Sequence, residues 1–181
     1  MSAEATLEAV LHGIWQALAA APADARAPWR FPALATVDAA GAPRLRTLVL
    51  RAADRSTATL ALHTDARSAK AAEIARNPRV ALLFWDSARL VQLRAEGTAT
   101  LAPDESAFAA LPPAARGVYA VAPPPGTPIP AAGAFAHADP APAFRLLRVA
   151  VARLEWLDLS GPRHARAGFD MAAAHACWLV P

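Results

Sequence analysis

The stretch "HTDARSAK" at residues 63–70 sets two hydroxyls and an ammonium close together, in Thr64, Ser68 and Lys70. Of the 18 Lys and Arg residues in the chain, Lys70 is the single lysine. The residues that follow, "AAEIARN", have helical composition and stop at Asn77-Pro78, so a helix begins just after Thr64 and Asp65. A helix amino terminus presents free backbone N–H groups and the positive end of the helix dipole. With the hydroxyls and the ammonium added, the segment makes a cradle for a phosphate. The plain alternative is that Thr64 or Asp65 caps the helix while Lys70 points into solvent.

Neighbouring segments offer partners. "RLRTLVLR" (44–51) carries Arg44, Arg46 and Arg51 in an otherwise apolar run. Read as one strand, it places Arg46 on the face opposite Arg51. Arg46 is then expected to meet an anion held by Lys70, and Arg51 to point into a second compartment. "LVQLRAEG" (90–97) puts Gln92 and Arg94 on one face of a strand. An amide there either faces water or takes a partner such as the polar edge of a heterocycle.

These residues need a scaffold, and the pattern supplies one. Leu7, Val10, Leu11, Ile14 and Leu18 recur at helical spacing and predict an amphipathic helix over 4–20, followed by a Pro-rich link to about residue 28. "ALATVD", "RLRTLVLR" and "ATLALHT" read as three strands, and "RVALLFW" and "RLVQLRAEGTATLA" as two more after the helix. Pro103-Asp104 starts a short helix. Residues 112–142 hold nine of the 17 prolines, so an ordered loop with few ladder bonds is expected there. "FRLLRVAVARLEWLDL", "RHARAGFD" and "CWLVP" return to strands. Sequential antiparallel strands with one small inserted helix close best as a barrel or roll, because open edges invite aggregation.

Composition narrows the function classes. A chain of 181 residues that is 55% hydrophobic and 18% charged suits one compact domain spanning 1–181. The single cysteine, Cys177, rules out an internal disulfide and a cysteine zinc cluster, and no metal site is expected. No signal-peptide pattern and no apolar run of about 18 residues appear, so a cytoplasmic protein without a membrane role is the expectation. The net charge of +3 is spread along the chain and not interleaved with aromatics, which argues against nucleic acid. A compact anion accounts for the excess.

Taken together, "RTLVLR", "HTDARSAKAAEIARNPRVALLFW", "VQLRAEG" and "EWLDLSGPRHARAGFD…WLVP" resemble the pyridoxamine 5'-phosphate oxidase family. The match runs in order from about residue 29 to residue 181. It implies a mainly β fold, a six-stranded antiparallel split β-barrel with flanking α-helices. It implies FMN as cofactor, bound between the subunits of a homodimer, with a small-molecule substrate or electron donor. The resemblance assigns the FMN phosphate and ribityl chain to Arg46, to the backbone through Thr47, Leu48, Val49, Leu50 and Arg51, and to His63, Thr64, Ser68 and Lys70. Gln92 would meet the polar edge of the flavin ring, and Trp156 and Arg166 would close over it from the second subunit. Arg51 and His164 fall on substrate positions; no catalytic residue is assigned.

The departures are as informative. Ala69 stands where the family often has a second basic residue, Arg51 replaces a frequent substrate-binding lysine, and Pro162 takes the place of a substrate-gripping arginine. "RGVYAVAPPPGTPIP" does not reproduce the tyrosine, arginine and serine that hold the substrate phosphate, although Tyr119 and Arg116 lie nearby. The expected function is therefore an FMN-dependent oxidoreductase of this family with another substrate. A true vitamin B6 oxidase and a non-catalytic flavin-binding or stress-related protein are the alternatives.

Overall fold

The computed structural model describes residues 6–181. Helix α1 (Leu7–Ala20) starts at Thr6, whose hydroxyl accepts from the Ala9 N–H at 3.2 Å, and buries Ile14, Trp15 and Leu18. The expected first residues of that helix, 4 and 5, lie outside the described residues.

Five strands and one helix follow the link: β1 (Ala33–Val37), β2 (Pro43–Thr47), β3 (Leu50–Asp54), β4 (Thr59–Asp65), α2 (Ala69–Arg76) and β5 (Arg79–Asp86). Then come β6 (Val91–Ala102), α3 (Glu105–Ala109), α4 (Pro113–Gly117), the two-residue strands β7 (Val121–Ala122) and β8 (Ala136–His137), β9 (Phe144–Asp158), β10 (Ala165–Asp170) and β11 (His175–Leu179). The fold is mainly β and antiparallel, as expected. Its main sheet has nine strands, not six, because the short edge strands add to the barrel staves.

"RLRTLVLR" is not one strand. β2 pairs with β1 while β3 pairs with β4, and the chain crosses between them at Leu48 and Val49. The Leu48 N–H donates to the Pro32 carbonyl at 3.0 Å, so the break is itself hydrogen-bonded.

β9 is the hinge of the architecture. One edge pairs with β6 along its length; the other pairs with β4 over Phe144–Ala150 and with β10 over Arg153–Asp158. The sheet splits where β9 changes partner. At that point the β6 register shifts between Glu96 and Gly97. A Cβ on Gly97 would lie 2.0 Å from the Ala150 carbonyl oxygen, so only glycine lets the two backbones approach.

Period-two alternation sorts side chains cleanly. The inner face carries Leu34, Leu60, Leu62, Leu82, Phe84, Leu93, Leu147, Val149 and Leu154, all buried in one core with Ile14 and Leu18 of α1. The 112–142 segment is more structured than a loop, with α4 and the β7–β8 pair, and Tyr119 joins Leu111, Ala143 and Phe144 in a second small core. Among the described residues, no helix is long and apolar enough to cross a membrane.

Candidate functional site

Arg46 lies opposite Leu34 on β1, hence on the inner face at the edge of the sheet, where α2 covers it. Its guanidinium donates to the Glu73 carboxylate at 2.7 Å and to the Thr36 hydroxyl, and Thr36 in turn donates to Glu73. Thr36 and Glu73 are buried. Thr64 and Ser68 are buried as well, with their hydroxyl oxygens 3.4 Å apart.

Ser68 is the residue preceding α2, yet it does not cap the helix. It donates to the Asp65 carbonyl at 2.7 Å, and its side chain makes no cap bond. Asp65 is likewise taken: it accepts from the Arg67 N–H at 2.8 Å and from the Arg67 guanidinium at 2.7 Å. Neither Thr64 nor Asp65, the residues expected to cap the helix, does so, Ser68 makes no cap bond either, and the amino end of α2 stays open.

Lys70, in the first turn, is half-buried. Burial first, and then the positive charge of Arg46, hold its pKa below the usual lysine value. Among the described residues it has no ion-pair partner. An uncapped helix terminus and an unpaired cation thus occupy the same short segment as the Thr64 and Ser68 hydroxyls, of which Ser68 is held by the Asp65 carbonyl, and a free N–H terminus with a cation is what a phosphate group uses.

Arg51 and His63 lie elsewhere. β4 alternates so that Thr64 faces inward and His63 outward, and His63 opposes Leu146 of β9. The β3 ladder shifts at Arg51, between Leu50 and Ala52. Arg46 and Arg51 thus lie on different sides of the sheet, because the strand breaks between them and not through simple alternation. His63 stands edge-on to Phe144 with ring centroids 4.9 Å apart. Burial, then the nearby Arg51 charge, push its pKa down to about 4.

Gln92, Trp156 and Arg166 do not form one group. Register places Gln92 opposite Leu157, and Leu157 opposite Arg166, on the outer face. Trp156 opposes Leu93 and Ala167, both buried, so it faces the core. The outward residue beside Arg166 is Leu157. Arg166 donates to Glu155 at 2.8 Å and closes a ladder of alternating charge, Arg153–Glu96–Arg94–Glu155–Arg166. His164 is exposed in the loop before β10.

The Lys70 group is on the inner side and the Gln92–Arg166 group on the outer. Sequence reading missed Arg67, which donates to the carbonyls of Tyr119 at 3.1 Å and Val121 at 3.0 Å and so ties the proline-rich segment to the start of α2. It also missed Glu73, whose only sequence signal was an acidic residue three positions after Lys70.

The family profile described as pyridoxamine 5'-phosphate oxidase matches residues 27–157. The chain belongs to the pyridoxamine 5'-phosphate oxidase family. A curated relative, the pyridoxine/pyridoxamine 5'-phosphate oxidase of Anaeromyxobacter dehalogenans (strain 2CP-C), is 44% identical over 94 residues, which make up 52% of this chain and 44% of that protein. The matched stretch thus spans less than half of that relative. A crystal structure of a pyridoxamine 5'-phosphate oxidase-related, FMN-binding protein from Nostoc punctiforme aligns over 100% of both chains at 28% identity and a TM-score of 0.74. PhzG from Burkholderia lata shares the fold, at 19% identity and a TM-score of 0.73 over 98% of this chain and 94% of that one. Membership confirms the resemblance, and the likeness to these structures confirms the split-barrel fold.

Proposed function

We propose that this protein is an FMN-dependent oxidoreductase whose substrate is not the vitamin B6 phosphate ester. The observation that carries the cofactor assignment is Lys70, half-buried and unpaired at the open end of α2 beside the Thr64 and Ser68 hydroxyls. In this reading Lys70, the free N–H groups at the start of α2 and Thr64 hold the phosphate, and Ser68 joins them once its hydroxyl turns from the Asp65 carbonyl. Arg46 sits behind them as a second positive charge, already engaged with Glu73. The backbone from Thr47 to Arg51 would follow the ribityl chain. Bound there, FMN supplies a ring that accepts and donates hydride. The protein contributes position and electrostatics.

The same reading makes the active unit a homodimer. The inner cradle and the outer Gln92–Arg166 row lie on opposite faces of the sheet, so a flavin meeting both takes one from each subunit. The outer face supports this with Leu83 and Trp85 of β5, which are 38% and 43% exposed.

The relative from Anaeromyxobacter keeps the full B6 oxidase as the second reading, since it is 44% identical over about half of the chain. The absorbance spectrum of the protein reconstituted with FMN, followed by anaerobic reduction with NADH or NADPH, tests the flavin assignment. Failure to take up FMN would overturn it.

A further inference from the structure

On the side of the sheet away from Lys70, the outward faces of β3, β4 and β9 and the short helix α3 line an open cavity of about 640 Å³. Its size is that of a small-molecule site. Arg51 and His63 line it together with Ala61, Ala107, Leu111 and Leu146.

Of the two cations that line this cavity, one is paired within the protein, and the cavity's carboxylate is held by hydroxyls. Arg148 meets Asp104 at 3.5 Å. Asp54 accepts from the Ser56 and Thr57 hydroxyls at 2.7 and 2.9 Å. Arg51 is the exception among the described residues, with no ion-pair or hydrogen-bond partner. Its Nε is sealed from solvent and unsatisfied, while its two terminal nitrogens remain reachable. His63 is in the same state: Nδ1 is sealed without a partner and Nε2 is open. The sealed Nε and Nδ1 stay beyond a ligand's reach; the reachable terminal nitrogens of Arg51 and Nε2 of His63 are the groups free to bind one.

The chemistry of the walls selects the ligand. The α3 side offers Ala107, Ala110 and Leu111 and no side-chain donor. The Thr59 hydroxyl is committed to the Thr57 carbonyl at 3.1 Å. A phosphate dianion held here would keep one charge unmatched. A carboxylate carries one charge on two oxygens in a plane, and the two terminal guanidinium nitrogens match that geometry. The apolar remainder suits a hydrocarbon or aromatic body.

We propose that this cavity binds an organic monocarboxylate with an apolar body, its carboxylate on the terminal nitrogens of Arg51 and a polar substituent within reach of His63 Nε2. As the organic-substrate site of the enzyme, this rests on the flavin reading above. As a binding site it stands independently.

The test is calorimetric titration of the intact protein with benzoate, benzamide and phenyl phosphate, repeated on Arg51→Gln and Arg51→Lys, with the His63 imidazole followed by NMR. Saturable benzoate binding that shifts the His63 signal is expected. Benzamide should bind at least tenfold weaker, and phenyl phosphate no tighter than benzoate. Arg51→Gln should lose at least tenfold and Arg51→Lys less. If Arg51→Gln does not fold, the benzoate–benzamide ratio and the His63 shift in the unaltered protein decide. Equal affinity for benzoate and benzamide, phenyl phosphate binding tenfold tighter than benzoate, or no His63 shift overturns the proposal. FMN titrated into the same protein tests the flavin reading alone: benzoate binding without FMN uptake sinks that reading and spares this one, and the converse result does the reverse.

Discussion

Arg46 donates to Glu73 at 2.7 Å, and this pairing leaves Lys70 as the cation without a counter-ion at the open end of α2. Arg46 is neutralised inside the protein; Lys70 is not. A charge-assisted contact of this kind contributes about 1.5–3 kcal/mol. Lys70→Ala is therefore expected to weaken FMN binding at least tenfold and to leave riboflavin binding nearly unchanged. Fluorescence-quench titration with both flavins measures this. Equal affinity of the unaltered protein for FMN and riboflavin would refute the phosphate assignment.

The Arg46–Glu73 pair should matter more for stability than for ligand binding. Glu73 is buried, and removing one member of a buried ion pair strands the other, at a typical cost of about 3–5 kcal/mol. Glu73→Ala should lower the urea midpoint sharply. Replacing both members, as in Arg46→Met with Glu73→Leu, should recover most of the loss, because no stranded charge remains. A double variant no more stable than Glu73→Ala would show that the pair is not an isolated unit.

The strand pattern revealed the barrel because alternation between buried and exposed residues is local. Leu60, Leu62 and Thr64 against Ala61 and His63 can be read directly from the sequence. Contacts between distant segments could not be read that way. Nothing in residues 36, 46 and 73 announces that a threonine, an arginine and a glutamate meet under one helix. The side of the sheet that Trp156 takes was hidden for a similar reason. In "LEWLDL" the apolar residues Leu154, Trp156, Leu157 and Leu159 do not alternate strictly, so the facing residue was settled by the β9–β10 register and not by composition.

His63 should make stability depend on pH. Its folded-state pKa is pushed down to about 4 from an ordinary value of 6.5, so between these values the unfolded chain binds a proton that the native one refuses. The stabilisation is complete above about 6.5 and is lost as the pH falls through 4. Asp104 offsets part of the effect. Urea midpoints from pH 8 to 4 should fall more steeply in the unaltered protein than in His63→Gln. Parallel curves would show that the imidazole is not held neutral.

The outer face should be an assembly surface. Trp85 opposes Gln92 on β6, so a lysine there would place a charge next to the residue assigned to the flavin edge. Trp85→Lys is expected to give a monomer by sedimentation with FMN affinity reduced at least tenfold. A folded monomer of the unaltered protein that binds FMN at full strength would remove the case for a shared site.

The final expectation concerns vitamin B6 phosphates. A substrate phosphate needs cations and hydroxyls gathered at one place, and neither Tyr119 nor Arg116 lines the cavity that holds Arg51. Tyr119 is buried edge-on to Phe144 with centroids 5.2 Å apart, and Arg116 donates its Nε to the Leu111 carbonyl at 2.9 Å. Pro162 offers no donor where the family grips the substrate ring, and His164 is exposed in the preceding loop. Arg51 is left alone opposite Ala107, Ala110 and Leu111. Leaving one charge of a bound phosphate unmatched costs on the order of 2–5 kcal/mol, and each 1.4 kcal/mol or so is a factor of ten in rate. The FMN-loaded protein should therefore turn over pyridoxamine or pyridoxine phosphate at least a hundredfold less efficiently than a dedicated oxidase. An aerobic assay for pyridoxal phosphate at saturating FMN measures it. Rapid, saturable product formation at micromolar substrate would mean that Arg51 and His164 suffice, and would restore the B6 oxidase reading.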